Sequence, residues 1–578
     1  MIHQLSKLIG LLAAVCFSFA VSAQKFAFTH DDTLRGSITP ERVWWDLAYY
    51  HLQVKINPAD SAISGSTTIH YRVLTPNQTL QVDLQRPLKV QKIVQEGKEL
   101  AFRQDGNAYF ITLQKKQEIG QTESLVVHYA GKPRVAKRAP WDGGFVWKRD
   151  KTGQWFIATA CQGLGASAWW PCKDHMYDEP DSMLISITVP KGLQDISNGR
   201  LRGVTEHDDG THTFDWFVSN PISNYGVNVN IGNYVHWADT LQGEKGRLTL
   251  DFYALPEHAD SARRQFQQAK PMLKAFEHWF GPYPFYEDGY KLVETPYLGM
   301  EHQSSVTYGN RFRNGYLGRD LSGTGFGLLW DFIIIHESGH EWFANNITYR
   351  DVADMWVHES FTNYSENLYT EYYHGKDAGS AYVMGTRALI RNDRPIVGTY
   401  NVNHSGSGDM YYKGGNMLHT IRQIISDDTK WRGILRGLNQ TFYHQTVNGK
   451  QIEEYISQQS GINFQKVFDQ YLRDKRIPTL EYKLVKNKIQ YRWINCAEGF
   501  NMPLKVCLNN AGPNEHLNPT TQWQTLPISG INSLTSDPNY YVFVQRSKWI
   551  KSKSCGASWF KHITALIDKG KTRRFLPL

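Results

Sequence analysis

The chain is poor in several features that would assign it to a specialised class. It has 6 cysteines in 578 residues, and none sits at zinc-knuckle spacing or in a recognisable catalytic context. Beyond the opening residues no segment offers the ~20 unbroken apolar residues of a membrane-spanning helix. No internal repeat or low-complexity linker interrupts it. With 41% hydrophobic and 20% charged residues it is neither disordered nor fibrous. An excess of one charge is also missing from most of the chain. The net charge of +8 resides in the last 33 residues, where nine Lys or Arg accompany one acid, Asp568; the remainder balances at 54 basic against 54 acidic residues. A neutral body with a basic end argues against a nucleic-acid partner, and the tail reads as a solvated terminus.

Several features are present and ordered along the chain. Residues 1–23 have the design of a secretory signal peptide: Lys7, the apolar run Leu8 to Ala20, then small residues up to Ala23. Export to the periplasm or the extracellular space is expected, with no transmembrane segment left after cleavage. Residues 24–255 alternate and are rich in β-branched residues, as in Tyr50-His51-Leu52-Gln53-Val54-Lys55-Ile56, which predicts a large antiparallel β domain. The period becomes helical near Pro256, and 256–477 reads as a mostly helical α/β domain. Alternation returns over 478–545, a small β-sandwich, before the basic tail at 546–578. The remaining five cysteines leave Cys161–Cys172 and Cys496–Cys507 as local disulfide candidates, with an odd thiol over.

The segment Ile333-Ile334-Ile335-His336-Glu337-Ser338-Gly339-His340 carries the chemistry. Four residues apart on a helix, His336 and His340 share a face and can reach one metal ion. Glu337, one step round, can approach the open side of that ion as a general base. A chance H-E-x-x-H has odds of ~4% in a chain with this much histidine. Eighteen residues further stands Glu359, and two His with one Glu make a catalytic zinc set that leaves a position for water. One zinc ion per chain is therefore expected; cobalt or manganese could replace it in vitro. Glu366, two turns beyond Glu359, is either an outer carboxylate orienting an imidazole or a solvated helix residue. His358 reads as structural.

These residues and the text around them resemble the zinc aminopeptidases that include membrane alanyl aminopeptidase and leukotriene-epoxide hydrolase. Phe276-Glu277-His278-Trp279-Phe280-Gly281-Pro282-Tyr283-Pro284-Phe285 is similar to the family's entry into its catalytic domain. Tyr297-Leu298-Gly299-Met300-Glu301-His302-Gln303 looks like its exopeptidase signature Gly-x-Met-Glu-Asn, with His302 in place of Asn and Gly299 where Ala is frequent. Tyr411-Tyr412-Lys413-Gly414 matches a downstream segment, and Cys161-Gln162 with Trp170-Pro171-Cys172-Lys173-Asp174 the wall of the substrate pocket. The likeness runs in order from about residue 40 to about 545. It implies a multidomain α+β fold: an N-terminal β saddle, a thermolysin-like zinc domain and a small β-sandwich, without the long helical array of larger members. It also implies roles. Glu301, with Gln162 as second contact, anchors the free N-terminus of a peptide substrate; Tyr411 stabilises the oxyanion; Gly299 and Met300 pair with the substrate backbone. The implied activity is hydrolysis of the first peptide bond. An epoxide hydrolase on the same site and a non-catalytic peptide binder are the rival readings.

Overall fold

The computed structural model describes residues 27–510 and 513–547; the expected signal peptide and all but the first residues of the basic tail lie outside them. The expected multidomain α+β architecture is present. An eight-stranded sheet dominates the N-terminal part, flanked by sheets of three and four strands. Trp45–Asn57 shows why: Trp45, Leu47, Tyr50, Leu52, Val54 and Ile56 all point into one apolar core while intervening residues face outward. That strand pairs antiparallel with Ala62–Val73, placing Tyr50 opposite Ile69. On its other edge it pairs in parallel with Ser182–Pro190, from Tyr49 opposite Ser182 to Lys55 opposite Thr188. The sheet is thus mixed rather than purely antiparallel. Alternation cannot reveal strand direction, and these partners lie more than a hundred residues apart.

A five-stranded sheet supports the zinc-motif region. Its order is Val235–Gly243, Gly246–Ala254, Tyr290–Glu294, Val306–Tyr308 and Gly299–Met300. The hairpin formed by its first two strands falls in the segment assigned above to the β domain, yet Gly246–Ala254 pairs in parallel with Tyr290–Glu294. A hairpin's own pattern does not say which sheet receives its free edge, and this one joins the sheet of the following domain. Gly299–Met300 is the opposite edge strand.

Helices Ala269–Phe280 and Phe332–Gly339 pack on this sheet, Trp356–His374 packs on both of them, and Tyr412–Ile425 packs on Trp356–His374. The core they form continues into two small C-terminal sheets of four and three strands. Tyr297 and Met300 instead join the core of the N-terminal part. The N-terminal domain therefore grips the edge strand, and the Tyr297 hydroxyl donates to the Thr159 carbonyl at 2.8 Å.

Neither local disulfide forms: Cys161, Cys172, Cys496 and Cys507 are free thiols. Cys172 exchanges two backbone hydrogen bonds with Asp83, of 2.8 and 3.1 Å, which tie it to a neighbouring strand. Among the described residues no helix is long and apolar enough to cross a membrane.

Candidate metal centre and active site

The helix Phe332–Gly339 starts where Asp331 caps it, accepting from the backbone N–H of Ile333 and Ile334. Asp331 is itself held by the Tyr308 hydroxyl at 2.7 Å, the Asn310 amide at 2.9 Å and the Gln265 amide at 2.6 Å. The three isoleucines are buried, so the helix cannot roll, and His336 and His340 emerge on one side. The chain turns sharply after His340, with Phe343 and Ala344 out of helical geometry. That turn brings the Phe343 carbonyl within 3.0 Å of His340 Nδ1, and the Thr362 hydroxyl lies equally near.

Glu359 projects from the first turn of Trp356–His374. Its Oε2 lies 3.7 Å from His336 Nε2 and 3.4 Å from His340 Nε2, and the three residues form a candidate metal cluster. Glu359 Oε2 is buried and has no hydrogen-bond partner. A carboxylate oxygen left without a donor inside a protein is costly. Here it faces two imidazole nitrogens, an arrangement that a cation resolves, so the donor set fits a divalent metal. Burial works to raise the Glu359 carboxyl, but the flanking His340 and His336 hold it well below the usual range.

The far nitrogens of both imidazoles are committed, which fixes ring orientation. His336 Nδ1 meets Glu366 Oε1 at 2.8 Å. Glu366 is fully buried, accepting also from the Asn363 amide at 3.1 Å and the Tyr382 hydroxyl at 2.7 Å. Of the two readings open for Glu366, the structure favours the outer carboxylate. His358 accepts the Tyr349 N–H on Nε2 at 2.9 Å, so that nitrogen is spent on the backbone.

Glu337 lies at the mouth of the site and is 9% exposed, against 1% for Glu359 and 2% for Glu301. Burial pushes its carboxyl up to about 7. Glu301 Oε1 accepts from Gln162 Nε2 at 2.7 Å and from the Tyr225 hydroxyl at 3.0 Å. The same Gln162 nitrogen lies 3.0 Å from Glu359 Oε1. Glu301, Glu337 and His340 also lie within mutual reach. The Tyr411 ring stacks near that of His336, with centroids 6.0 Å apart, and its hydroxyl is held up by burial and by Glu359, Glu301 and Glu337. The Tyr412 hydroxyl is held up by burial and by Glu366.

Gly299 explains one departure from the resemblance. A Cβ there would sit 2.6 Å from Ile333 Cγ2 and 2.9 Å from the Thr307 carbonyl. The bare glycine lets the edge strand touch the metal-site helix. His302 turns inward, where burial pushes its imidazole down to about 3, and its Nδ1 meets the Thr307 hydroxyl at 3.2 Å. The structure thus brings His336, His340, Glu359, Glu337, Glu301, Gln162, Gly299 and Tyr411 together, with Met300 next to Gly299 in the edge strand. Tyr225, which steadies Glu301, and Asn345, whose amide holds the Glu301 carbonyl at 3.0 Å, had no marker in the sequence.

Residues 47–225 match the Peptidase M1 N-terminal domain and residues 264–471 the Peptidase family M1 domain. The chain belongs to peptidase family M1. It is 22% identical over 416 residues to the leucyl aminopeptidase of Saccharolobus solfataricus, covering 70% of this chain and 50% of that protein. With leukotriene A-4 hydrolase of Xenopus laevis it shares 21% over 443 residues, covering 72% and 68%. The chain spans about half the length of the archaeal relatives it matches. Among solved structures, an M1 zinc metallopeptidase mutant from Deinococcus radiodurans bound to a Tyr-Ser-Ala substrate superposes with a TM-score of 0.62 at 21% identity. That match covers 76% of this chain and 96% of the other.

Proposed function

We propose that the protein is a zinc aminopeptidase that removes single residues from peptides with a free N-terminus. The observation that carries this reading is the pairing of two features in one cleft. Glu359 Oε2 is orphaned against two imidazoles, and Glu301 is held beside it by Gln162 and Tyr225. A buried carboxylate steadied by two donors recognises an ammonium, and its place next to the metal set confines cleavage to the first peptide bond.

His336, His340 and Glu359 would hold one zinc ion. Bound there, zinc supplies a Lewis acid that polarises the scissile carbonyl and acidifies a water. Glu337 takes the water's proton and passes it to the leaving amine. The Tyr411 hydroxyl donates to the oxygen that becomes negative, and the edge strand at Gly299 and Met300 pairs with the substrate backbone. The related metallopeptidase that binds Tyr-Ser-Ala supports a short peptide as substrate. The leader-like opening residues support action outside the cytosol.

Glu337→Gln tests the proton path. The variant keeps its metal, measured by elemental analysis, and loses at least about a hundredfold in kcat, the usual contribution of a general base. Near-normal turnover would remove Glu337 from this role.

A further inference from the structure

A loop beside the cleft concentrates positive charge that the fold does not use. Between Gly309 and Asp320 the sequence has Arg311, Arg313 and Arg319 and no acid. All three are exposed, and among the described residues none pairs with a carboxylate. Asp320 is spent locally, accepting from Ser322 and from the Gly325 N–H. Surface arginines are usually paired or scattered; three unpaired ones on nine residues create a local field.

Hydrogen bonds and ring contacts define the loop's shape and position. Tyr316 and Arg319 exchange backbone hydrogen bonds of 2.9 and 3.0 Å, closing a tight turn. Gly315 makes the turn possible: its φ is +67°, and a Cβ there would lie 2.5 Å from the Arg319 carbonyl. A ladder of rings then leads to the metal site. The Arg319 guanidinium lies 5.6 Å from the Tyr316 ring centre. Tyr316 meets Phe332 edge-on at 5.3 Å, and Phe332 stacks on His336 at 5.1 Å. Tyr316 thus packs at the start of the metal-site helix, whereas Glu301 lies by its end, near His340 and with its carbonyl held by Asn345. The loop therefore stands at the opposite end of that helix from the Glu301 anchor.

We infer that Arg319, with Arg313 behind it, is a second anchor that binds a substrate carboxylate beyond the scissile bond. The inference rests on the aminopeptidase reading. If Glu301 holds the substrate's amine, the rest of the peptide runs past Glu337 toward this loop. At ~3.5 Å per extended residue, a carboxylate one to three residues past the cleaved bond reaches it. Arg313 packs against the turn, 3.6 Å from the position a Cβ on Gly318 would take, and adds to the field. A planar guanidinium suits a carboxylate, and that of Arg319 is exposed beside the Tyr316 ring. The carboxylate comes either from the C-terminus of a short peptide or from an acidic side chain.

Three substrates separate these sources: tri-alanine, its C-terminal amide, and Ala-Ala-Glu amide. Each is assayed for release of the first alanine by wild type, Arg319→Gln and Arg319→Lys, with unfolding midpoints recorded. In wild type, kcat/KM for tri-alanine exceeds that for its amide by roughly fivefold at low salt, through KM. The difference shrinks in about 0.5 M salt because exposed charges are screened. Arg319→Gln brings the ratio near one, and Arg319→Lys keeps part of it. A matching gain for Ala-Ala-Glu amide extends the site to acidic side chains; its absence confines it to the terminus. A wild-type ratio near one for both, or one unmoved in a folded Arg319→Gln, overturns the anchor while leaving the aminopeptidase intact. No cleavage of any of the three by wild type overturns both.

Discussion

Replacing Glu366 by Gln tests whether the metal centre depends on a residue that never touches the metal. Glu366 is fully buried, and its two oxygens accept three donors: His336 Nδ1 at 2.8 Å, the Asn363 amide at 3.1 Å and the Tyr382 hydroxyl at 2.7 Å. Glutamine has the same shape. Its carbonyl can still accept from His336 and Asn363, and its amide can donate to Tyr382, whose hydroxyl turns to accept. The fold therefore loses little. What disappears is the negative charge behind His336, which makes that imidazole a stronger ligand. Losing such a partner lowers metal affinity by about 10–100-fold, or ~1.4–2.7 kcal/mol. Competition between the metal-stripped protein and a chromogenic zinc chelator measures it directly, with the urea midpoint of the stripped protein as control. Unchanged affinity in a normally stable variant would refute the idea that Glu366 tunes the site.

Two further outcomes follow from the same geometry. Tyr225→Phe removes one of the two donors on Glu301; losing a bond to a charged group costs ~1.5 kcal/mol, so KM for free-amine substrates rises about tenfold. An unchanged KM would free Glu301 from Tyr225. Asp331→Ala removes the cap of the metal-site helix and strands the Tyr308, Asn310 and Gln265 donors. It lowers stability by about 2–4 kcal/mol, read as an earlier unfolding midpoint, and a shift below ~0.5 kcal/mol would show that the helix start is held by packing alone.

The metal set was legible because its information is local. The spacing of His336, His340 and Glu359 follows from helical periodicity and a short connection. Glu366 was legible for the same reason, though whether it faced the metal or the solvent depended on Asn363 and Tyr382, and Tyr382 comes from another helix. Tyr225 was not legible, since the residues around it show no pattern and its partner lies 76 positions away. The hairpin of Val235–Gly243 and Gly246–Ala254 was not legible as part of the second sheet, because alternation describes a strand, not the sheet that receives it. The loop from Arg311 to Arg319 escaped a count in which the body of the chain is neutral, because a sum over hundreds of residues hides where carboxylates are absent.

A panel of fluorogenic aminoacyl amides, each paired with its N-acetylated twin and assayed with and without a zinc chelator, tests the aminopeptidase activity itself. Cleavage of the free-amine member of each pair alone is expected, abolished by the chelator and restored by zinc. Cleavage of the acetylated twins would contradict the role of Glu301, and cleavage that survives the chelator would contradict the metal centre itself.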